Sequence, residues 1–130
     1  MPATPPSSVV GWIALGGALG SVARYGMAGV VQRYTSPYFP YGTFAVNITG
    51  CLVFGVIFGL TEQRFAISPA MRAFLLIGVL GGFTTFSSYT FESFQLIRDA
   101  EVFRATVNVA GQVVLGLVFF WLGYLVNRLL

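Results

Sequence analysis

The nine residues Gly81-Gly82-Phe83-Thr84-Thr85-Phe86-Ser87-Ser88-Tyr89 lie inside an apolar stretch long enough to cross a bilayer. Glycine loses the most backbone entropy on ordering, and Ser and Thr compete for backbone hydrogen bonds, so this run is poor helix material. In hydrocarbon a helix break leaves N–H and C=O groups unpaired unless protein, water or an ion satisfies them. A break here reads as an ion or substrate site. The alternative is a close helix crossing, in which Gly and Ser let two backbones approach. The Thr84-Thr85 pair, followed by Phe86 and Tyr89 three apart on one helix face, favours a site.

Composition sets the environment. Of 130 residues, 56% are hydrophobic and 8% charged, and the mean hydropathy is +0.81. A soluble domain of this size is excluded, because the few charges sit between long apolar runs. The net charge of +3 is small and dispersed, which argues against nucleic acid and suits loops beside anionic lipid head groups. Cys51 is the single cysteine and falls within a predicted span, so no intrachain disulfide forms. Residues 1–8 are rich in Pro and Ser and carry no basic residue, which predicts a disordered tail and a retained first helix rather than a cleaved signal peptide.

Four spans are expected, at about 9–31, 42–60, 69–97 and 105–129, in a single transmembrane domain covering 1–130. In the first, Gly16, Gly20 and Arg24 are spaced by four and share one face. Arg24 reads either as the head of that stripe or as a charge snorkelling to the interface beside Tyr25. Residues 33–41 form a Pro- and Tyr-rich loop. The second span places Thr43, Asn47 and Cys51 on one face. Asn47 acts either as interhelical glue or as a donor aimed into a polar pore. Gly55 and Gly59 read as a packing face. Ser68-Pro69 supplies an N-cap and an N1 proline to the third segment. That segment is longer than a span requires, as suits a helix interrupted at Gly81 to Thr85. On the last span Asn108, Gln112, Gly116 and Phe120 lie four apart on a single face.

The arginines outside the apolar core divide evenly. Arg64, Arg72 and Arg128 fall on the side of the termini, and Arg33, Arg98 and Arg104 on the other. With three against three the positive-inside rule has no bias to act on, and insertion in both orientations is expected.

The polar inventory excludes most chemistry. Histidine is absent, cysteine is single and Glu92 has no acidic partner within the spans, so neither a nucleophile–base set nor a transition-metal site can be assembled. The chain is not expected to be an enzyme. The spans offer neutral donors and aromatic edges. A ring edge is electropositive, so Phe86 seen edge-on favours a small anion without supplying full charge. Unwound carbonyls at Gly81 to Thr84 suit instead a hard alkali cation. Four small spans are few to enclose a pore, which predicts a dimer.

Three motifs in this order carry a family resemblance. They are Gly16 to Tyr25 (GGALGSVARY), Gly42 to Gly50 (GTFAVNITG) and Gly81 to Glu92 (GGFTTFSSYTFE). Over essentially its whole length the chain resembles the Fluc (CrcB) fluoride channels. The resemblance implies an all-α membrane protein of the cell (inner) membrane, with four transmembrane helices, the third broken in mid-membrane, built as an antiparallel dual-topology homodimer. It implies passive, fluoride-selective export that lowers cytoplasmic fluoride, and a structural Na⁺ at the dimer centre held by backbone carbonyls of Gly81 and Thr84. Asn47, Phe86, Ser87 and Tyr89 would line the fluoride path, with Thr43 beside them on the second span, and Arg24 would shape a vestibule. Two departures stand out. Tyr89 occupies the place of the family's second pore phenylalanine, and Asn108 and Gln112 replace the family's usual Tyr/Ser/Thr track on the last helix. Glu92 falls where the family often has an acid just past the pore motif.

Two rival readings remain at this stage. A small dual-topology drug/proton exporter would need a membrane-embedded carboxylate, for which only Glu92 is available. A non-transporting assembly subunit would use its glycine faces for packing alone.

Overall fold

A computed structural model describes residues 7–130, and all its regular structure in that range is helical. Helix α1 is Ser7–Arg33 and α2 is Tyr41–Gln63. Helix α3 runs as one rod through Pro69–Arg72, the π-helical Ala73–Val79 and Leu80–Phe83. Helix α4 is Phe86–Arg98 and α5 is Val102–Val126. The expected tail at residues 1–6 lies outside the described range, whereas Ser7 and Ser8 already belong to α1.

Among the described residues, three stretches are long and apolar enough to cross a membrane: Tyr41–Gln63, Pro69–Arg98 (α3 and α4 together) and Val102–Val126. Helix α1 is longer than two of them but less apolar, because six glycines, Ser21 and Arg24 dilute its hydropathy. Large apolar side chains point outward, as on Leu117, Trp121 and Val113 of α5. That inversion of the soluble pattern is what a lipid-facing surface requires, since acyl chains solvate Leu as well as a core does.

Small residues set the packing. The most extensive pairings are α2 with α5 and α1 with α3. A methyl group on Gly55 would collide with the Phe120 carbonyl, and one on Gly123 with the Leu52 carbonyl, so α2 and α5 meet backbone to backbone. The expected packing role of Gly55 and Gly59 is borne out. On the other side, Gly16 and Gly20 of α1 lie against the Phe74 and Val79 carbonyls of α3. Those carbonyls belong to the π-helical stretch, whose wider turn was not foreseen from the sequence.

The start of α3 follows expectation. Ser68 Oγ accepts from the Met71 N–H at 3.1 Å, and Pro69 takes the first helical position. The interruption does not sit where the glycines are. Gly81 and Gly82 are both helical, and the chain leaves α-geometry at Thr84 (ψ 157°) and Thr85 (φ −147°, ψ 117°). Hydroxyl competition, not glycine entropy, decides the position. Thr84 turns its Oγ1 back to the Leu80 carbonyl (2.9 Å), and Thr85 Oγ1 accepts from the Ser88 N–H (3.2 Å) as the N-cap of α4. Gly82 serves close approach instead, meeting the Gly17 carbonyl of α1. The break and the tight crossing therefore coexist one turn apart.

Candidate functional site

The interruption is held open by one side chain. Asn47 of α2 offers Oδ1 to the Thr85 N–H (2.9 Å) and donates Nδ2 to the Thr85 carbonyl (3.1 Å). The amide thus stands in for the backbone partners that Thr85 lost when the helix broke. It also diverts the Thr85 N–H from the Gly81 carbonyl, four residues back, which would receive it in a continuous helix.

From that clamp a chain of hydrogen bonds runs through the bundle. Asn47 Nδ2 donates to Gln112 Oε1 (2.7 Å), Gln112 Nε2 to Asn108 Oδ1 (2.9 Å), and Asn108 Nδ2 to Ser93 Oγ (2.9 Å). Ser93 Oγ closes the series on the Tyr89 carbonyl at 2.7 Å. Asn108 is fully buried, and Gln112 and Ser93 are nearly so. The i, i+4 spacing of 108 and 112 places both amides on the face of α5 that meets α2 and α4. Ser93 is the member that sequence reasoning missed. Its only signal was its position four residues after Tyr89, on the same face of α4.

Both Asn47 amide hydrogens are committed, one to Thr85 and one to Gln112. The residue is interhelical glue in this arrangement, and any ion meeting it must displace one of these bonds.

Two cavities flank the clamp. The first, of about 300 Å³, brings together Asn47, Thr84, Thr85, Phe86, Tyr89 and Gln112, with Cys51 and Phe54 beside them. The Phe86 and Tyr89 rings lie 5.6 Å apart at 43° to one another. Phe86 is 79% exposed, so its ring stands at the open side of this groove, while Tyr89 is buried and its hydroxyl donates to the Val109 carbonyl (2.9 Å). The second cavity, of about 330 Å³, joins Arg24, Ser21 and Tyr25 of α1 to Thr43, Thr85 and Ser88. Thr85 lies on both. Ser87 is exposed and borders neither.

Two charged groups are incompletely paired among the described residues. Arg24 Nε is buried without a hydrogen-bond partner. Glu92 accepts from Thr43 Oγ1 through Oε1 (2.8 Å), while its buried Oε2 has none. Thr43 thereby couples the carboxylate on α4 to α2, and its hydroxyl is occupied.

Comparison with known proteins accords with this arrangement. The family model described as "CrcB-like protein, Camphor Resistance (CrcB)" matches residues 11–124. A protein from Nitratidesulfovibrio vulgaris named "Fluoride-specific ion channel FluC" is 48% identical over 117 residues, 90% of this chain and 94% of that protein. Proteins of the same name from Maridesulfovibrio salexigens and Nitrosococcus oceani are 45% and 43% identical over 119 residues, 92% of this chain in each case. With its helix break, its clamp and nearly all of its apolar length inside that match, the chain belongs to the CrcB (FluC) family, a family of channels and not of enzymes.

Proposed function

We propose that this protein is a fluoride-selective channel that lets F⁻ leave the cell passively and so lowers cytoplasmic fluoride. The observation that carries the reading is the groove at the interrupted helix, where neutral hydrogen-bond donors and an exposed phenyl ring meet with no fixed cation. Fluoride is small, hard and strongly hydrated. Its water must be replaced at close range by donors that hold it weakly enough to release it. A fixed ammonium or guanidinium in the groove would trap it.

The groove is open on one side, with Phe86 at its edge, and a second copy of the chain would close it. An antiparallel dual-topology homodimer agrees with the three-to-three division of the arginines. Helix α1 would supply the fourth span, its 27 residues measuring about 40 Å at 1.5 Å per residue. Adding two or three Lys at one end should fix orientation and abolish activity unless a protein fixed the other way is co-expressed. Full activity from one orientation alone would defeat this part of the reading.

A structural Na⁺ fits the same interruption. Gly81 is exposed on the protomer, and its carbonyl has lost the Thr85 N–H to Asn47. Hard, neutral carbonyl oxygens are the donor type an alkali ion takes. Gly81 and Thr84 would contribute these from each copy, and the ion would supply a fixed positive charge between the two subunits.

The experiment is efflux of fluoride from proteoliposomes holding the purified protein, with chloride as comparison. Rapid, fluoride-selective efflux is the expected result. Proton-dependent efflux of an organic cation would favour the exporter built on Glu92, and no flux of either kind would favour the assembly subunit.

A further inference from the structure

The end of the bundle where α2 and α5 begin carries two adjoining hollows that the fluoride reading leaves unused. An aromatic groove of about 470 Å³ runs along Phe39, Tyr41, Phe44, Phe103 and Val107, with Arg104 at its rim. A larger cavity of about 530 Å³ adjoins it, sharing Phe39 and Arg104, and its lining includes Glu101, Asp99, Gln95 and Glu92. One hollow is apolar and the other rich in carboxylates. Their common border is a guanidinium.

The groove is built for something outside the fold. Phe39 packs at a tilt against Tyr41 (4.8 Å between ring centroids, 55°) and Phe44 (5.8 Å, 47°), forming a floor, whereas Phe103 is 82% exposed and makes an unpartnered wall. It lies at the level where two apolar helices start, the depth at which acyl chains give way to head groups. Arg104 is posed over Tyr38 (5.5 Å to the ring centroid), and its Nη1 reaches Glu101 Oε1 at 3.2 Å. The contact leaves the other guanidinium nitrogens free to donate. The mouth of the groove therefore presents one cation and one anion side by side, while Asp99 in the same cavity is paired with Arg98 (3.2 Å).

We infer that these hollows hold a zwitterionic aminophospholipid, with an acyl chain along Phe103 and Val107, its phosphate on Arg104 and its primary ammonium on Glu101. Charge complementarity selects this occupant. A purely anionic lipid would satisfy Arg104 but bring negative charge against Glu101, Asp99 being already paired with Arg98 (3.2 Å). A choline head cannot donate a hydrogen bond to a carboxylate, whereas a primary ammonium has three donors, as a lysine head does. The inference does not depend on fluoride conduction, and its test reads lipid alone.

Native mass spectrometry of the purified protein, titrated with phosphatidylethanolamine, phosphatidylcholine and phosphatidylglycerol of identical acyl chains, measures the preference. Phosphatidylethanolamine should bind about tenfold tighter than phosphatidylcholine, the size of one charge-assisted hydrogen bond. Glu101→Gln should erase that difference, and Arg104→Gln should weaken both lipids while Arg104→Lys restores them. Phe103→Ser, at a site with no core contacts to lose, should weaken all three lipids alike and provides the decisive variant if Arg104→Gln fails to fold by size exclusion. Phosphatidylglycerol binding as tightly as phosphatidylethanolamine overturns the inference. So does an ethanolamine preference that survives Glu101→Gln, or displacement of the lipid by inorganic phosphate.

Discussion

Removing the Asn47 amide should destabilise the fold as well as impair flux. Asn47→Ala deletes three hydrogen bonds at once, two to the Thr85 backbone and one to Gln112. Within membranes such bonds average about 0.6 kcal/mol each, while a buried backbone group left unpaired costs about 1–3 kcal/mol. Three bonds, with the Thr85 N–H exposed to no substitute, give an expected loss of about 2–4 kcal/mol. The assay is reversible unfolding in mixed micelles followed by circular dichroism, on the same preparations used for flux. Asn47→Asp sharpens the test because it preserves volume and keeps an acceptor for the Thr85 N–H while losing both donors. It should be no more stable than Asn47→Ala. If Asn47 only fills space, Asn47→Asp should be near neutral and Asn47→Ala should follow the small cavity it leaves. A loss below about 0.5 kcal/mol for both variants would refute the clamp.

Three further outcomes are expected. Phe86→Ile should cut fluoride flux severely with an unchanged size-exclusion profile, since the exposed ring supports no protomer core and an aliphatic side chain has no electropositive edge; wild-type flux would mean that the ring has no part in conduction. Replacing Na⁺ by a large organic cation, at constant voltage and fluoride gradient, should lower flux, and indifference to the cation would remove the buried ion. Ala100→Gly should stabilise the protein by about 0.5–1 kcal/mol in the same unfolding assay, because Ala100 sits at φ 59° in the left-handed position that ends α4. There Glu101 N–H reaches the Leu96 carbonyl (2.8 Å) and Ala100 N–H the Ile97 carbonyl (3.0 Å), a pair of bonds that normally recruits glycine; a loss of stability would contradict this.

Much of the architecture was legible because hydrophobic length and glycine spacing act locally. Three apolar spans, the Ser68-Pro69 start and the Gly55/Gly59 contact each follow from residues within one or two helical turns. The interruption was legible, and it falls at the Thr84-Thr85 end of the expected Gly81 to Thr85 stretch. Gly81 and Gly82 weaken a helix without obliging it to end, whereas Thr85 ends it by capping the next one, and that depends on a bond pattern across the break. The partner of that break was harder to read. Asn47 lies 38 residues from Thr85, and nothing in the spacing says that its amide will meet a backbone there instead of a pore. The π-helical stretch at Ala73–Val79, which lies against Gly16 and Gly20 of α1, left no sequence signal.

The closed series from Asn47 to the Tyr89 carbonyl also bears on how the proposed channel would work. Each amide in it donates to its neighbour, and Asn47 has both its hydrogens engaged, whereas Gln112 Nε2 and Asn108 Nδ2 each donate once. An anion reaching Asn47 would gain a strong charge-assisted bond only by breaking an existing one. Bonds to a charged group contribute about 1.5–3 kcal/mol net, against about 1 kcal/mol for the neutral bond displaced. The difference at each step is small and favourable, which is the condition for binding well enough to enter and weakly enough to leave. A free donor at Asn47 would hold fluoride more tightly and pass it more slowly. Removing one link, as in Gln112→Leu, would leave Asn47 with a free hydrogen. Fluoride should then bind more tightly while its turnover falls, a pairing of effects that simple loss of packing does not produce.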